Sequence, residues 1–140
     1  MPPATTTTML KAIRNLDYTV IICQDVESMK HFYHDLLGFP LYSDFGDWVE
    51  LSVGASLLTL RRRGTGYDGV KEQDGTTPPA GTASVQLAFR VTPAQVDSCY
   101  LELQQKEVSI IQPPVSQPTG HRTLFFKDPE GNILEIYADL

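Results

Sequence analysis

The sequence predicts an α+β chain built from two successive β-α-β-β-β units. Three observations carry that prediction. Two stretches that break an apolar run at glycine, FYHDLLGF (Phe32 to Phe39) and FFKDPEGNILEI (Phe125 to Ile136), mark places where the chain turns into new structure. A strand signal followed at once by a helix signal occurs twice, beginning at Leu16 and again at Ala83. Between the two lies a segment, 64–82, of glycine, proline, threonine and charge with no periodicity.

Each element has its own signal. Leu16 to Cys23 is a β-branched apolar run. Asp25 caps a helix whose apolar positions Val26, Met29, Phe32, Tyr33, Leu36 and Leu37 recur at helical spacing, with Gly38 closing it. Strands follow at Phe39 to Phe45, Trp48 to Val53 and Ser56 to Arg61, split by the turn pairs Gly46-Asp47 and Gly54-Ala55. The second unit repeats the order. Ala83 to Val91 alternates, Thr92-Pro93 starts a helix with the stripe Val96, Cys99, Tyr100 and Leu103, and strands follow at Val108 to Gln112, His121 to Lys127 and Ile133 to Tyr137. Identity between the units is negligible. Only the order of elements repeats, as expected of two supersecondary units that share a core because neither buries its own sheet.

Composition narrows the function classes. A chain of 140 residues is one domain by size and needs no disulfide or metal merely to fold. Residues 1–11 read as a disordered tail that lacks the marks of a secretory signal, and 12–140 as a single domain: module one 12–63, a loop at 64–82 and module two 83–140. No apolar run nears the ~18 residues that cross a bilayer, so no membrane partner is expected. The net charge of −6 argues against nucleic acid. Cys23 and Cys99 are unclustered and fit reduced, packed thiols in a cytoplasmic protein.

Strand alternation sorts the polar residues onto faces. On the fifth strand Val85, Leu87, Phe89 and Val91 oppose Ser84, Gln86, Ala88 and Arg90. On the third, Val49, Leu51 and Val53 oppose Trp48, Glu50 and Ser52. On the last, Leu134 and Ile136 oppose Ile133, Glu135 and Tyr137. Glu50, Gln86 and Glu135 are either solvent-facing residues of half-buried strands or the polar groups of a pocket. Their neighbours Trp48, Ile133 and Tyr137 favour the pocket.

The motifs LDYTVIICQDVESMKHFYHDLLGF, WVELSVG, VQLAFRV and FFKDPEGNILEIY resemble the vicinal oxygen chelate superfamily, which contains glyoxalase I, bleomycin-resistance proteins, fosfomycin-resistance enzymes and extradiol dioxygenases. The resemblance runs from about Ala12 to Ala138. It implies two βαβββ modules whose mixed sheets curl around a cleft with the helices outside. It also implies a divalent metal in catalytic members and, in many, a homodimer. Carried over by position, the first-strand ligand falls on Tyr18, seven residues before Asp25; the third-strand glutamate falls on Glu50; the fifth-strand ligand falls on Gln86; and the closing glutamate falls on Glu135. Neither histidine of an extradiol iron site is present at the matching positions, so dioxygenase chemistry is not expected.

Two functions follow from the resemblance. In the first, Glu50, Gln86 and Glu135 hold an ion, and all-oxygen donors favour magnesium, manganese or calcium over zinc, nickel or iron. The ion polarises a substrate carbonyl while Glu50 or Glu135 shuttles a proton, as in a lyase or isomerase of glyoxalase type. In the second, the cleft is metal-free and sequesters a small molecule as bleomycin-resistance proteins do. Tyr18, Trp48 and Tyr137 then form aromatic walls, and the two glutamates attract a cationic or hydroxylated ligand. Under either, His121, Thr123 and Phe125 face the cavity and Arg90 is placed to meet a carboxylate or phosphate. His31 and His34 belong to the polar face of the first helix. Arg61, Arg62 and Arg63 form a basic run at a strand end.

Overall fold

The computed structural model describes residues 9–12, 16, 18–63 and 86–140. The expected loop at 64–82, the start of the fifth strand at Ala83, Ser84 and Val85, and the first eight residues of the expected tail lie outside the described residues. Met9–Ala12 form a short 3-10 turn.

Module one runs β1 (Tyr18–Cys23), α1 (Val26–Lys30), β2 (Leu41–Asp44), β3 (Trp48–Val53) and β4 (Ser56–Arg62). Module two runs β5 (Gln86–Arg90), α2 (Pro93–Gln105), β6 (Ile110–Ser116), β7 (His121–Lys127) and β8 (Ile133–Asp139). Each module makes one curled, mixed four-stranded sheet, in the orders β1-β4-β3-β2 and β5-β8-β7-β6. The outer pair β1·β4, like β5·β8, is parallel and the remaining pairs are antiparallel.

The apolar alternation decides which face each helix covers. Val49, Leu51, Leu58 and Leu60 are buried with Val26, Met29, Phe32 and Tyr33 from the first helical segment. Leu124, Phe126, Leu134 and Ile136 are buried with Val96 and Leu103 of α2. Each fully buried leucine contributes roughly 2 kcal/mol of transfer free energy. At its start α2 accepts the Thr92 N–H on Gln95 Oε1 at 3.0 Å, and α1 is capped by Asp25, whose Oδ1 accepts from Ser28 N at 3.0 Å.

Two elements differ from the sequence expectation. The first helix is α-helical only to Lys30 and continues as a π-helical segment, His31–Leu36, ending in the wide bond from Leu37 N to Phe32 O at 2.9 Å. The wider turn accompanies burial of two adjacent rings, Phe32 and Tyr33, packed edge to face. Gly38 then takes φ +82°, which releases the chain into the first hairpin. The strand expected to stop at Gln112 runs on through Pro113 and Pro114. It can do so because β6 is an edge strand with an irregular register, where missing N–H donors cost no ladder bond.

The modules are joined through the DPEGN turn before β8. Asp128 is buried, and its carboxylate accepts four hydrogen bonds: from Tyr33 OH (2.7 Å), Glu130 N (2.9 Å), Asn132 N (2.9 Å) and Asn132 Nδ2 (2.7 Å). Glu130 reaches back to the other module and accepts from Gln24 N at 3.0 Å and Asp25 N at 2.8 Å, just before α1. Lys106 Nζ adds a bond to Leu36 O at 2.7 Å, and the rings of Phe39 and Phe89 meet at 5.4 Å. Among the described residues no helix is long and apolar enough to cross a membrane.

Two predictions follow from this core. Asp128→Ala removes the shared acceptor and leaves the buried Tyr33 hydroxyl unsatisfied. It should therefore cost ~2–4 kcal/mol in urea denaturation, against ~1–2 kcal/mol for Tyr33→Phe, which leaves the other three donors in place. Cys23 is pushed from 9.0 up to about 12 by burial and then by the charges of Glu130 and Asp128; Tyr33 is pushed up by burial and by Asp128. Both groups hold their protons longer folded than unfolded. Their contribution is whole below pH 9 and is lost as pH rises toward 12. Stability measured from pH 8 upward should fall, and Cys23→Ala should flatten part of that fall.

Candidate functional site

The registers fix which residues share the face that α1 and α2 leave uncovered. On the first sheet Glu50 of β3 stands opposite Thr59 of β4, which stands beside Val20 of β1; Trp48 is paired with Arg61 and Tyr18 with Leu57. On the second sheet Phe125 of β7 stands opposite Glu135 of β8, which stands beside Ala88 of β5; Thr123 is paired with Tyr137 and Gln86 with Ile133. Superposing the two patterns makes Tyr18 the counterpart of Gln86 and Thr59 the counterpart of Glu135. Glu50 is the counterpart of Phe125. The two glutamates therefore occupy neighbouring strands of the repeat, not matching ones.

Each acid has one neutral donor. Ser43 Oγ donates to Glu50 Oε1 at 2.7 Å across the β2·β3 pair. Gln86 Nε2 donates to Glu135 Oε1 at 3.1 Å across β5·β8. Thr59 is fully buried, and its Oγ1 has no hydrogen-bond partner. Sequence reasoning passed over both hydroxyl residues. The pairing of Thr59 with Glu50 is readable from hairpin length once the Gly54-Ala55 turn is placed, whereas that of Ser43 runs through the β2·β3 hairpin, whose register shifts.

Further along the second sheet, four residues interlock. Arg90 Nε donates to Tyr137 OH at 3.2 Å, and its guanidinium lies 5.5 Å from the ring centre. Arg90 Nη1 and His121 Nε2 both meet Asp139, at 3.3 and 3.2 Å, and the His121 ring packs on Tyr137 at 5.2 Å. The Tyr137 hydrogen bond and then the Asp139 charge hold the Arg90 pKa above its usual value. Thr123, expected to face ligand, is buried, and its Oγ1 accepts from Gln117 Nε2 at 3.0 Å. Phe125 is half-buried opposite Glu135, Tyr18 is exposed, and Trp48 lies under Arg61 at 6.0 Å.

The basic run disperses. Arg61 lies over Trp48, Arg62 pairs with Asp47 at 3.5 Å, and Arg63 Nη2 donates to Ile22 O at 3.4 Å. His31 pairs with Asp35 at 2.8 Å, and His34 Nδ1 contacts Phe39 O at 2.7 Å, both away from the strand faces above.

Between the modules a cavity of about 530 Å³ follows the edge of β5 opposite β8. Phe39, Val53, Leu57, Leu87 and Phe89 wall it, Thr19 and Ser56 add hydroxyls, and Arg90 is the one charged side chain among the described residues lining it. A smaller apolar cavity of about 170 Å³ lies under α2, and Phe39, Phe89 and Val91 line both.

The expected metal donors can be tested against this geometry. Gln86 turns its N–H toward Glu135, so the amide oxygen is not paired with that carboxylate. Glu50 is held on its own sheet, and no hydrogen bond joins it to Gln86 or Glu135. Among the described residues no group of three or more His, Cys, Asp or Glu side chains is placed to hold an ion. Tyr18 and Thr59, at the counterpart positions, are neutral oxygen groups that bind divalent metals weakly unless deprotonated. Among the described residues of one chain the expected donor set does not fit a metal.

Comparisons with known proteins agree with this architecture. The chain is 27% identical over 127 residues to a virulence protein of Salmonella typhimurium, covering 89% of this chain and 83% of that one. It is 23% identical over 126 residues to the glutathione transferase FosA of Serratia marcescens, covering 90% and 82%. Among solved structures, a glyoxalase/bleomycin resistance protein/dioxygenase from Nocardioides matches with a TM-score of 0.74 at 20% identity, covering 91% of this chain and 85% of that one. A lactoylglutathione lyase from Agrobacterium tumefaciens matches at 0.73 and 19%, covering 90% and 94%. The model of the Glyoxalase/Bleomycin resistance protein/Dioxygenase superfamily matches residues 15–136, and the chain belongs to that superfamily.

Proposed function

We propose that this protein binds a small molecule on the sheet faces that α1 and α2 leave uncovered, without a metal, in the manner of the bleomycin-resistance branch of the superfamily. One observation carries the reading: the counterpart first-strand positions hold Tyr18 and Gln86, and Gln86 spends its amide N–H on Glu135. Tyr18, Trp48, Phe125 and Tyr137 supply aromatic surface, Thr123 supports the floor, and Arg90, His121, Glu50 and Glu135 supply charge and hydrogen bonds. The protein works as a cytoplasmic homodimer in this reading.

A second reading keeps the chain an enzyme of lyase or isomerase type. It is favoured by Glu50 and Glu135, each of which has one carboxylate oxygen engaged by a neutral donor and the other without a hydrogen bond among the described residues. Glu135 would then take a proton from the carbon beside a substrate carbonyl and return it to the neighbouring carbon, an isomerisation with no net oxidation.

Metal analysis tests the first reading. Protein purified without chelator, then incubated with manganese or magnesium and desalted, should carry no stoichiometric metal, and ligand-induced thermal shifts should survive EDTA. One ion per chain that is lost in Glu135→Gln or Glu50→Gln would overturn metal-free binding. For the enzyme reading, Glu135→Gln should abolish turnover of a 2-oxoaldehyde-derived substrate while circular dichroism stays unchanged; undiminished turnover would remove Glu135 from that role.

A further inference from the structure

We propose that the cavity beneath α2 is a second binding site, for an uncharged apolar molecule of about one ring. It is distinct from the uncovered sheet faces and does not rest on the metal-free reading.

The cavity lies between a helix and the sheet face that the helix covers. Phe89, Phe126 and Ile136 form its floor, Cys99 and Leu103 line it from α2, and Phe39 bounds it on the side of module one. Period two sends Glu135 and Tyr137 to the other face of β8, so this space shares no lining residue with the proposed ligand face. Space that side chains leave unfilled forgoes contacts, and a ligand of matching shape restores them.

Volume decides the size of the occupant. At about 170 Å³ the cavity falls below the range that holds drug-sized ligands and close to that of dry apolar cavities that take benzene.

Chemistry decides its charge. Glu102 is the one charged side chain among the described residues of the lining, and its carboxylate is mostly exposed at the rim. There Oε2 meets Lys106 Nζ at 2.8 Å, and the same ammonium donates to Leu36 O at 2.7 Å, across to module one. Cys99 adds a thiol, which burial and then the Glu102 charge push up from its ordinary value, so it stays neutral. Inside the rim, no described side chain can compensate a charge taken out of water. An ion is therefore rejected and hydrocarbon is favoured.

Calorimetry on the full chain tests this with toluene and with benzoate, the same ring bearing a charge. Toluene should bind, and benzoate should bind roughly tenfold or more weakly. Cys99→Phe, which fills the cavity, should weaken toluene by a similar factor, whereas Cys99→Ala, which widens it, should not; thermal unfolding reports whether each variant folds. Alkylation of Cys99 by iodoacetamide, followed by mass spectrometry, locates the ligand in the unaltered chain. Saturating toluene should slow that alkylation severalfold, while Cys23, fully buried, stays unmodified throughout. No toluene binding, benzoate binding equal to toluene binding, toluene binding unchanged in folded Cys99→Phe, or Cys99 alkylation indifferent to toluene would overturn the proposal. These readouts involve no metal and leave the uncovered sheet faces unaltered, so their failure leaves the metal-free reading standing.

Discussion

Four donors converge on the Asp128 carboxylate, two of them backbone N–H groups of its own turn and one the hydroxyl of a tyrosine on the other module. A buried carboxylate is tolerable only when so satisfied, and satisfying it fixes three things at once. The DPEGN turn closes, which sets the register of β8 against β7. Tyr33 is held at the base of the first sheet. Glu130, presented by the same turn, is aimed at the backbone N–H groups of Gln24 and Asp25, across 105 and 106 residues of sequence. The position of Glu135, seven residues after Asp128 and two after the start of β8, is inherited from this arrangement.

Much of the architecture was legible because each module obeys local rules. β3 and β7 have the limits that alternation implies, and α2 starts at the Thr92-Pro93 pair. The π-helical segment was not legible, since 3.6-residue spacing and a widened turn share the same apolar letters over so short a stretch. The run of β6 through Pro113 and Pro114 was hidden for a related reason: whether proline stops a strand depends on its being at an edge, which is a fact of topology. For the site, the face assignments of Glu50, Gln86, Glu135 and Arg90 follow from period two. What that period cannot carry is partnership. Ser43 reaches Glu50, Gln117 takes the hydroxyl of Thr123, and Asp139 lies between Arg90 and His121, all through cross-strand or loop geometry that no single segment encodes.

The internal repeat is a scaffold whose chemistry has diverged. The counterparts Tyr18 and Gln86, Thr59 and Glu135, and Glu50 and Phe125 hold the same addresses in the two sheets with different chemistry. A site drawing on both modules therefore receives an amide, an acid and a phenyl ring from one and two hydroxyl groups and an acid from the other. On the second sheet Arg90 and His121 both meet Asp139, a cluster with no counterpart named on the first.

The ring pair of Phe39 and Phe89 has space on both sides, being a wall of the large seam cavity and of the small one under α2. Empty volume is what hydrostatic pressure acts on, because unfolding that eliminates voids lowers the volume of the system. The two cavities described lie where the modules touch, while Leu51, Leu60, Leu124 and Leu134 are fully buried within the sheets. Compression thus bears on the junction between modules wherever that space is without solvent.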